Sequence, residues 1–502
     1  MLKRRKGILI TLCIAAAFIV ACVVVAPRLF QVDRYRPYVI SLIEQESGRR
    51  VEIGRLGLTV FPSITIRVDD LAISNPPGFP AGNWLQVKRI NARLDAGALW
   101  HHQIVIHSLD LTGPSLSLLS DAHGRWNYQA PPSGRLAAGL PSGPGSGPSN
   151  LQDSPAKPGA ADPPLFSLQE ISGVSLKDGS LVMANITPSG EPGPPAVKAQ
   201  GISTDLKNIS LAAFANPHAA TTGVPAATGE LHLKTLQAGS VQMVNVASSI
   251  QATPAAIQLN NVKFDFYGGH GQANILLNLA ATALQYTAEG NLSGVNAAAV
   301  LANFPQARGQ ITGTLESRFT FSGESLSSPD PWAGKQGQGT LTVRKGRLPK
   351  LQLDKAMLDL ARVAQMGPVS GDPSAFSVIS LDWRLANDSI TTRNVHMEGN
   401  GMALEGSGTV GLTGPGRLNY QGVAEITAKQ NALTNLLANF SGATFARGKL
   451  GVPFTLEGTL EKPLFRLKTS EEFGKALAAP GRNGNQTQQN LQNLFNLFKR
   501  KK

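Results

Sequence analysis
A chain of 502 residues has room for one large domain or two to three ordinary ones. Its only cysteines, Cys13 and Cys22, share one apolar run near the start, so the remaining chain has neither disulfides nor thiolate metal sites. The net charge is +13, but Lys3, Arg4, Arg5, Lys6, Lys499, Arg500, Lys501 and Lys502 carry most of it, and no basic stripe with interleaved aromatics is present. That distribution argues against nucleic acid and suits anionic membrane surfaces.

Residues 1–6 form a basic stub. The following run from Gly7 to Ala26, GILITLCIAAAFIVACVVVA, has no charged residue. As a helix it spans about 30 Å, the thickness of a hydrocarbon core, which predicts a single transmembrane helix. The preceding cations favour a cytoplasmic N-terminus, with the bulk of the chain exported. Two other readings also export the chain: a cleaved signal peptide, and a lipoprotein signal in which Ile19, Val20, Ala21 and Cys22 loosely match a lipobox.

From Asp33 to Ser47 the pattern is helical, with Pro37 near the start and Gly48 as the stop. Ile64, Ile66 and Val68 then alternate with polar residues, the mark of a strand with one apolar face. Ile104 and Ile106, then Leu109 and Leu111, continue it; Gly113-Pro114 reads as a turn before Leu116 and Leu118. Residues 131–164 are rich in Pro, Gly, Ser and Ala and read as a disordered linker. Strands return from residue 165 to about 470, as at Leu231 and Leu233, Phe264 and Phe266, and Leu341 and Val343. Turn signals at Gly268-Gly269, Ser293-Gly294, Lys345-Gly346 and Gly414-Pro415-Gly416 predict a long antiparallel meander. Helical spacing interrupts it near 295–303, 353–365 and 429–440. In the tail, 471–502, Leu491, Leu494, Phe495 and Phe498 share one helical face before four cations. Such a basic amphipathic helix suits a membrane surface, and equally a helix docking on its own protein or a solubilising tail.

Signals for catalysis are weak. Gly406, Gly408 and Gly411 match G-x-G-x-x-G, but turn chemistry rather than a helix follows, so they read as bends in strands. On a strand His101 and His107 share a face while His102 opposes them, so they do not converge on a metal. Asp69-Asp70 and Glu471-Glu472 read as solvated turns. No catalytic residue, cofactor or metal site is assigned.

Residues 1–128 resemble the N-terminal region of the AsmA family of Gram-negative envelope proteins. The likeness rests on ordered motifs: Gly48-Arg49, then Asn75-Pro76-Pro77-Gly78-Phe79, then Gly124-Arg125-Trp126-Asn127. Segments within 165–470 also resemble the family, among them ISGVSLKDGSLV at 171–182 and VPFTLEGTLEKPLFRL at 452–467. The resemblance implies a mainly β fold, in which the N-terminal transmembrane helix leads to a long, curled, trough-like antiparallel sheet with a few short helices. It implies an inner-membrane, periplasm-facing, non-enzymatic protein linked to outer-membrane biogenesis, with phospholipid as its cargo and outer-membrane or periplasmic proteins as further partners. Ile64, Ile66, Val68, Leu341 and Val343 are candidates to line such a groove. The bland alternative is a closed β core in a structural or assembly factor that binds no lipid and acts through protein partners.

Overall fold
The computed structural model describes residues 32–129, 167–211, 225–279, 284–324, 332–351, 372, 374–400, 402–427 and 444–467. The helix expected over 7–26, the linker 131–164, the helices near 353–365 and 429–440, and the tail with Leu491, Leu494, Phe495 and Phe498 lie outside these residues. Among the described residues no helix is long and apolar enough to cross a membrane. The chain is mainly β with few helices, and it divides into two compact units.

The first unit comprises residues 1–264, 274–285 and 325–329. A 3-10 turn at Val32–Tyr35 leads into α1 (Arg36–Ser47). Pro37 sits in its first turn, and Gly48, at φ 63°, closes it by donating its N–H to Glu44 O, as the sequence predicts. Arg36 Nη1 donates to Gly54 O (2.7 Å), and Asp33 Oδ1 accepts from Leu56 N (3.0 Å), so the start of α1 is tied to the first strands.

Those strands are β1 (Val51–Glu52), β2 (Arg55–Thr59), β3 (Ile64–Ser74), β4 (Asn83–Leu94) and β5 (Gln103–Ser120). A one-turn helix, α2 (Ala96–Trp100), joins β4 to β5, and His101 and His102 end this connection rather than lying on a strand. Then come β6 (Ser167–Ile186), β7 (Pro192–Ile209), β8 (Ala227–Ala238), β9 (Val241–Ala252) and β10 (Ala256–Phe266).

Pairing is antiparallel from β3 to β5 and from β6 to β9, but β5 and β6 run parallel, with Ile106 beside Ile171 and Leu116 beside Leu181. The antiparallel meander expected from residue 165 onward is found from β6 to β9 and again, in the second unit, among the strands within 314–427; the β5–β6 pair is a parallel exception at its start. A parallel neighbour requires the chain to travel back the length of the strand, roughly 60 Å for β5 at about 3.3 Å per residue. The long connection over 121–166 supplies that reach.

One crease crosses the unit. Asp70 (φ 55°), Gly113 (φ 60°), Asp178 (φ 54°), Gly201 (φ 65°) and Asn245 (φ 53°) are left-handed in mid-strand. The registers place Asp70 and Gly113 level with Lys88, Asp178 level with Gly113, and Gly201 and Asn245 level with Lys234. Glycine and short polar residues tolerate this conformation best. The Lys88 and Lys234 stems lie over Gly113 and Gly201, and Lys234 Nζ reaches Asp178 Oδ1 (3.3 Å). At the crease the apolar alternation shifts by one residue. In β3 it passes from Ile64, Ile66 and Val68 to Leu71 and Ile73; in β4 it passes from Leu85 and Val87 to Ile90 and Ala92. The reset keeps apolar groups on the same face of the sheet at both ends. Two sequence expectations change accordingly: Asp69-Asp70 and Gly113-Pro114 lie inside strands and form no turn.

β11 (Gly269–Asn278) and β12 (Gln285–Asn296) follow. The second unit comprises residues 265–273, 286–324 and 330–502. It holds α3 (Ala297–Leu301), a 3-10 turn at Pro305–Ala307, and strands β13 (Thr314–Glu324), β14 (Gln336–Arg347), β15 (Ala375–Ala386), β16 (Ser389–Gly399), β17 (Met402–Gly411), β18 (Leu418–Thr427), β19 (Thr444–Ala446), β20 (Lys449–Gly458) and β21 (Pro463–Leu467). From β13 to β18 each strand pairs antiparallel with the next, and β20 pairs with β18, β19 and β21. Lys345-Gly346 lies within β14, and Ser293-Gly294 within β12, instead of turning the chain; Gly414-Pro415-Gly416 does connect β17 to β18. The core of this unit joins Val343, Ile379, Met397, Leu404, Ala424, Ile426, Leu450 and Val452.

Candidate functional site
In the first unit, cross-strand register turns alternation into rows. One row runs Ile66, Ala92, Leu109, Val174, Leu206, Gly229, Ile250 from β3 to β9, and a second runs Ile73, Leu85, Leu116, Leu181, Ala199, Leu236, Met243 on the far side of the crease. Apart from the buried Ala199, the residues of both rows are only half-buried. A second packed layer would have sealed mid-strand residues such as Leu109, Val174 and Leu206 from solvent. Here the apolar face keeps access to it.

The opposite face is polar. Asp69 accepts from Arg67 Nε (2.9 Å) and Arg89 Nε (2.9 Å) beside the crease. These hydrogen bonds, that of Arg67 first, hold its carboxyl below the usual carboxylate range.

Of the residues picked out in the sequence, Ile64, Ile66 and Val68 share the apolar face of β3, in register with Leu94, Ala92 and Ile90 and half-buried. Leu341 is half-buried on β14, but Val343 is 1 % exposed within the core of the second unit. Sequence reasoning did not single out most of the row residues as site residues; Leu109 and Leu116 were legible from the L-x-L spacings at 109–111 and 116–118, whereas the others depend on cross-strand register. His107 Nε2 lies 3.0 Å from Asp95 Oδ2, the carboxylate whose Oδ1 caps α2 at Ala98 N (2.7 Å).

Glycines in the second unit answer to aromatic rings. In register, Gly337 sits between Phe321 and Leu385, Gly408 faces Tyr420, and Gly422 faces Phe454. A Cβ on Gly408 would strike the Tyr420 ring; one on Gly337 would come within 2.9 Å of Phe321 and 3.1 Å of Trp383. Rings thus lie over bare backbone, a known way to restore packing where a strand carries glycine. Burial pushes the Tyr420 phenol up. Gly406 and Gly408 of the G-x-G-x-x-G string lie inside β17, where no helix N-terminus is available for a phosphate.

The three motifs of the N-terminal region meet at one end of the first unit. Asn127 is fully buried; its Oδ1 accepts from Leu119 N (3.0 Å), and its Nδ2 donates to Ser117 O (2.7 Å) and to Asn75 Oδ1 (2.8 Å). Arg49 donates from Nη2 to Gln129 O (2.9 Å), and its guanidinium lies 5.2 Å from the centroid of the Trp84 ring. Burial holds the Arg49 guanidinium below the usual arginine value.

Fold and surface together define a mainly β protein whose first unit carries a continuous, half-exposed apolar face backed by a polar one, with no second layer packed on it among the described residues of that unit. Residues 1–136 match the AsmA family model, which bears out the resemblance over that stretch; the segments within 165–470 lie beyond it. No curated protein and no solved structure matches the chain.

Proposed function
We propose that this is an envelope protein anchored in the inner membrane through residues 7–26, with its bulk in the periplasm, and that the apolar face of the first unit binds or conducts phospholipid in support of outer-membrane biogenesis. The observation that carries the reading is the pair of half-buried apolar rows in register from β3 to β9. Acyl chains gain about 0.8 kcal/mol for each methylene removed from water. Successive strands, about 4.8 Å apart, offer nearly the same apolar surface, so a chain can pass from one to the next with little change in free energy while its head group stays in water. No catalytic residue, cofactor or metal is needed.

Lipid extraction from the detergent-purified full chain, followed by mass spectrometry, tests this reading. Stoichiometric phospholipid is expected, with loss in Ile66→Glu and Leu109→Glu and retention in Thr112→Glu, all three with unchanged circular dichroism. A well-folded chain that carries no phospholipid would overturn it. The closed core around Val343 and Leu450 favours a second reading for the other unit, an assembly surface acting through protein partners.

A further inference from the structure
The large apolar side chains that the first unit leaves exposed gather at one end of its strands. Val60 (43 %) and Phe61 (64 %) tip the β2–β3 hairpin, Trp100 (84 %) ends α2, and Leu168 (49 %) opens β6. The pairs Ile64 with Leu94, Leu94 with Ile106, and Ile104 with Leu168 set these positions side by side at the ends of neighbouring strands. At the opposite end, beside Asn127, Tyr128 (47 %) is exposed.

Trp100 is held out rather than left loose. Asp95 caps its helix through Ala98 N and also binds His107, and His101 N donates to Ala98 O (2.9 Å). An indole carried into water on a capped turn leaves apolar area unburied that an interface would cover. Two further exposed aromatics, Tyr35 (62 %) and Tyr38 (67 %), stand at the start of α1, just after the apolar run 7–26. Bonds from Asp33 and Arg36 fix this start beside β2, and from there α1 runs towards the Asn127 end, because Gly48 and Arg49 at its close belong to that knot. The start of α1 therefore lies nearer the Phe61 and Trp100 end than its close does.

We propose that the end of the first unit bearing Val60, Phe61, Trp100 and Leu168 seats in the interfacial layer of a phospholipid bilayer, the one that residues 7–26 enter. Trp suits that layer because its amphipathic ring gains burial there while its N–H stays hydrated, and the apolar Val60, Phe61 and Leu168 side chains gain burial beside it. The inference rests on the anchored reading above but is independent of lipid carriage.

The test uses the full chain in nanodiscs of phosphatidylethanolamine and phosphatidylglycerol, with p-benzoylphenylalanine replacing Trp100, Phe61 or Tyr128. Irradiation should give adducts one phospholipid heavier at 100 and 61 and at most a tenth as much at 128. Absence of the adduct at 100, equal yield at 128, or persistence of the adduct in detergent-purified protein outside any bilayer would overturn the proposal. So would a discrete protein adduct at 100 in cells, which would assign this end to a protein partner. Should the chain prove free of carried lipid, the adduct at 100 is still expected, so the two readings fail separately. The Phe61→Ser, Trp100→Ser double variant should keep the phospholipid content of the parent chain.

Discussion

Asn127 donates its side-chain amide to Asn75, Nδ2 to Oδ1 at 2.8 Å, across 52 positions of sequence. Asn75 in turn donates from Nδ2 to Pro80 O (2.9 Å), holding the loop between β3 and β4, while Asn127 closes the end of β5 through Leu119 and Ser117. Two loops that share no strand pairing with each other are thereby locked by one amide pair. Replacing Asn127 with Ala leaves the Leu119 N–H and the Ser117 carbonyl without it in a buried place, at about 1–3 kcal/mol per unsatisfied group. Thermal melts of the full chain should show Asn127→Ala losing more stability than Asn75→Ala, with the double variant less destabilised than the sum of the two.

The two units should answer truncation differently. Leu450 is fully buried in the second unit, and Leu450→Ala should cost about 2–5 kcal/mol. Leu109, half-buried on the uncovered face of the first unit, should lose no more than half as much on truncation to Ala. Chemical denaturation of each variant measures the difference; equal losses would mean that the face of the first unit is covered.

A methyl group at Gly337 would crowd the rings of Phe321 and Trp383. Gly337→Ala should therefore destabilise the chain by about 1–3 kcal/mol. Trimming the ring, as in Gly337→Ala with Phe321→Leu, should recover part of that loss, and a double-mutant cycle reads the coupling directly.

Asp69 gives a pH signature. Its folded carboxyl lies below the ordinary value because of Arg67 and Arg89, so the stability it adds is complete above the unfolded aspartate range, about 3.9, and disappears as pH falls through the lower folded value. Asp69→Asn should be less stable than the parent at pH 7 and should converge with it in strong acid. Urea titrations between pH 2 and pH 7 follow the gap.

Much of the architecture was legible in the sequence for local reasons. Pro37 and Gly48 bracket α1, and short runs such as 64–68 declare their strands by strict alternation. The crease was not legible, because one left-handed residue breaks the alternation while the ladder continues; Asp69-Asp70, Gly113-Pro114 and Lys345-Gly346 then look like turns. Strand direction was also hidden: the pattern of β6 reports one apolar face, not whether its neighbour runs with or against it. Nothing in the sequence pattern marked Trp100, since its exposure depends on Asp95 capping a single helical turn.

The parallel ladder between β5 and β6 leaves the start of the sheet architecturally separable from its continuation. Residues up to Asn127 fasten their own loops together, and the stretch that matches the AsmA family model ends within the connection that follows β5. Beyond it, β5 offers a long templating edge against which further strands can be laid down. Each added hairpin lengthens the sheet without disturbing the fastened end. A sheet fastened at one terminus in this way can change its span without any change to the residues that do the fastening.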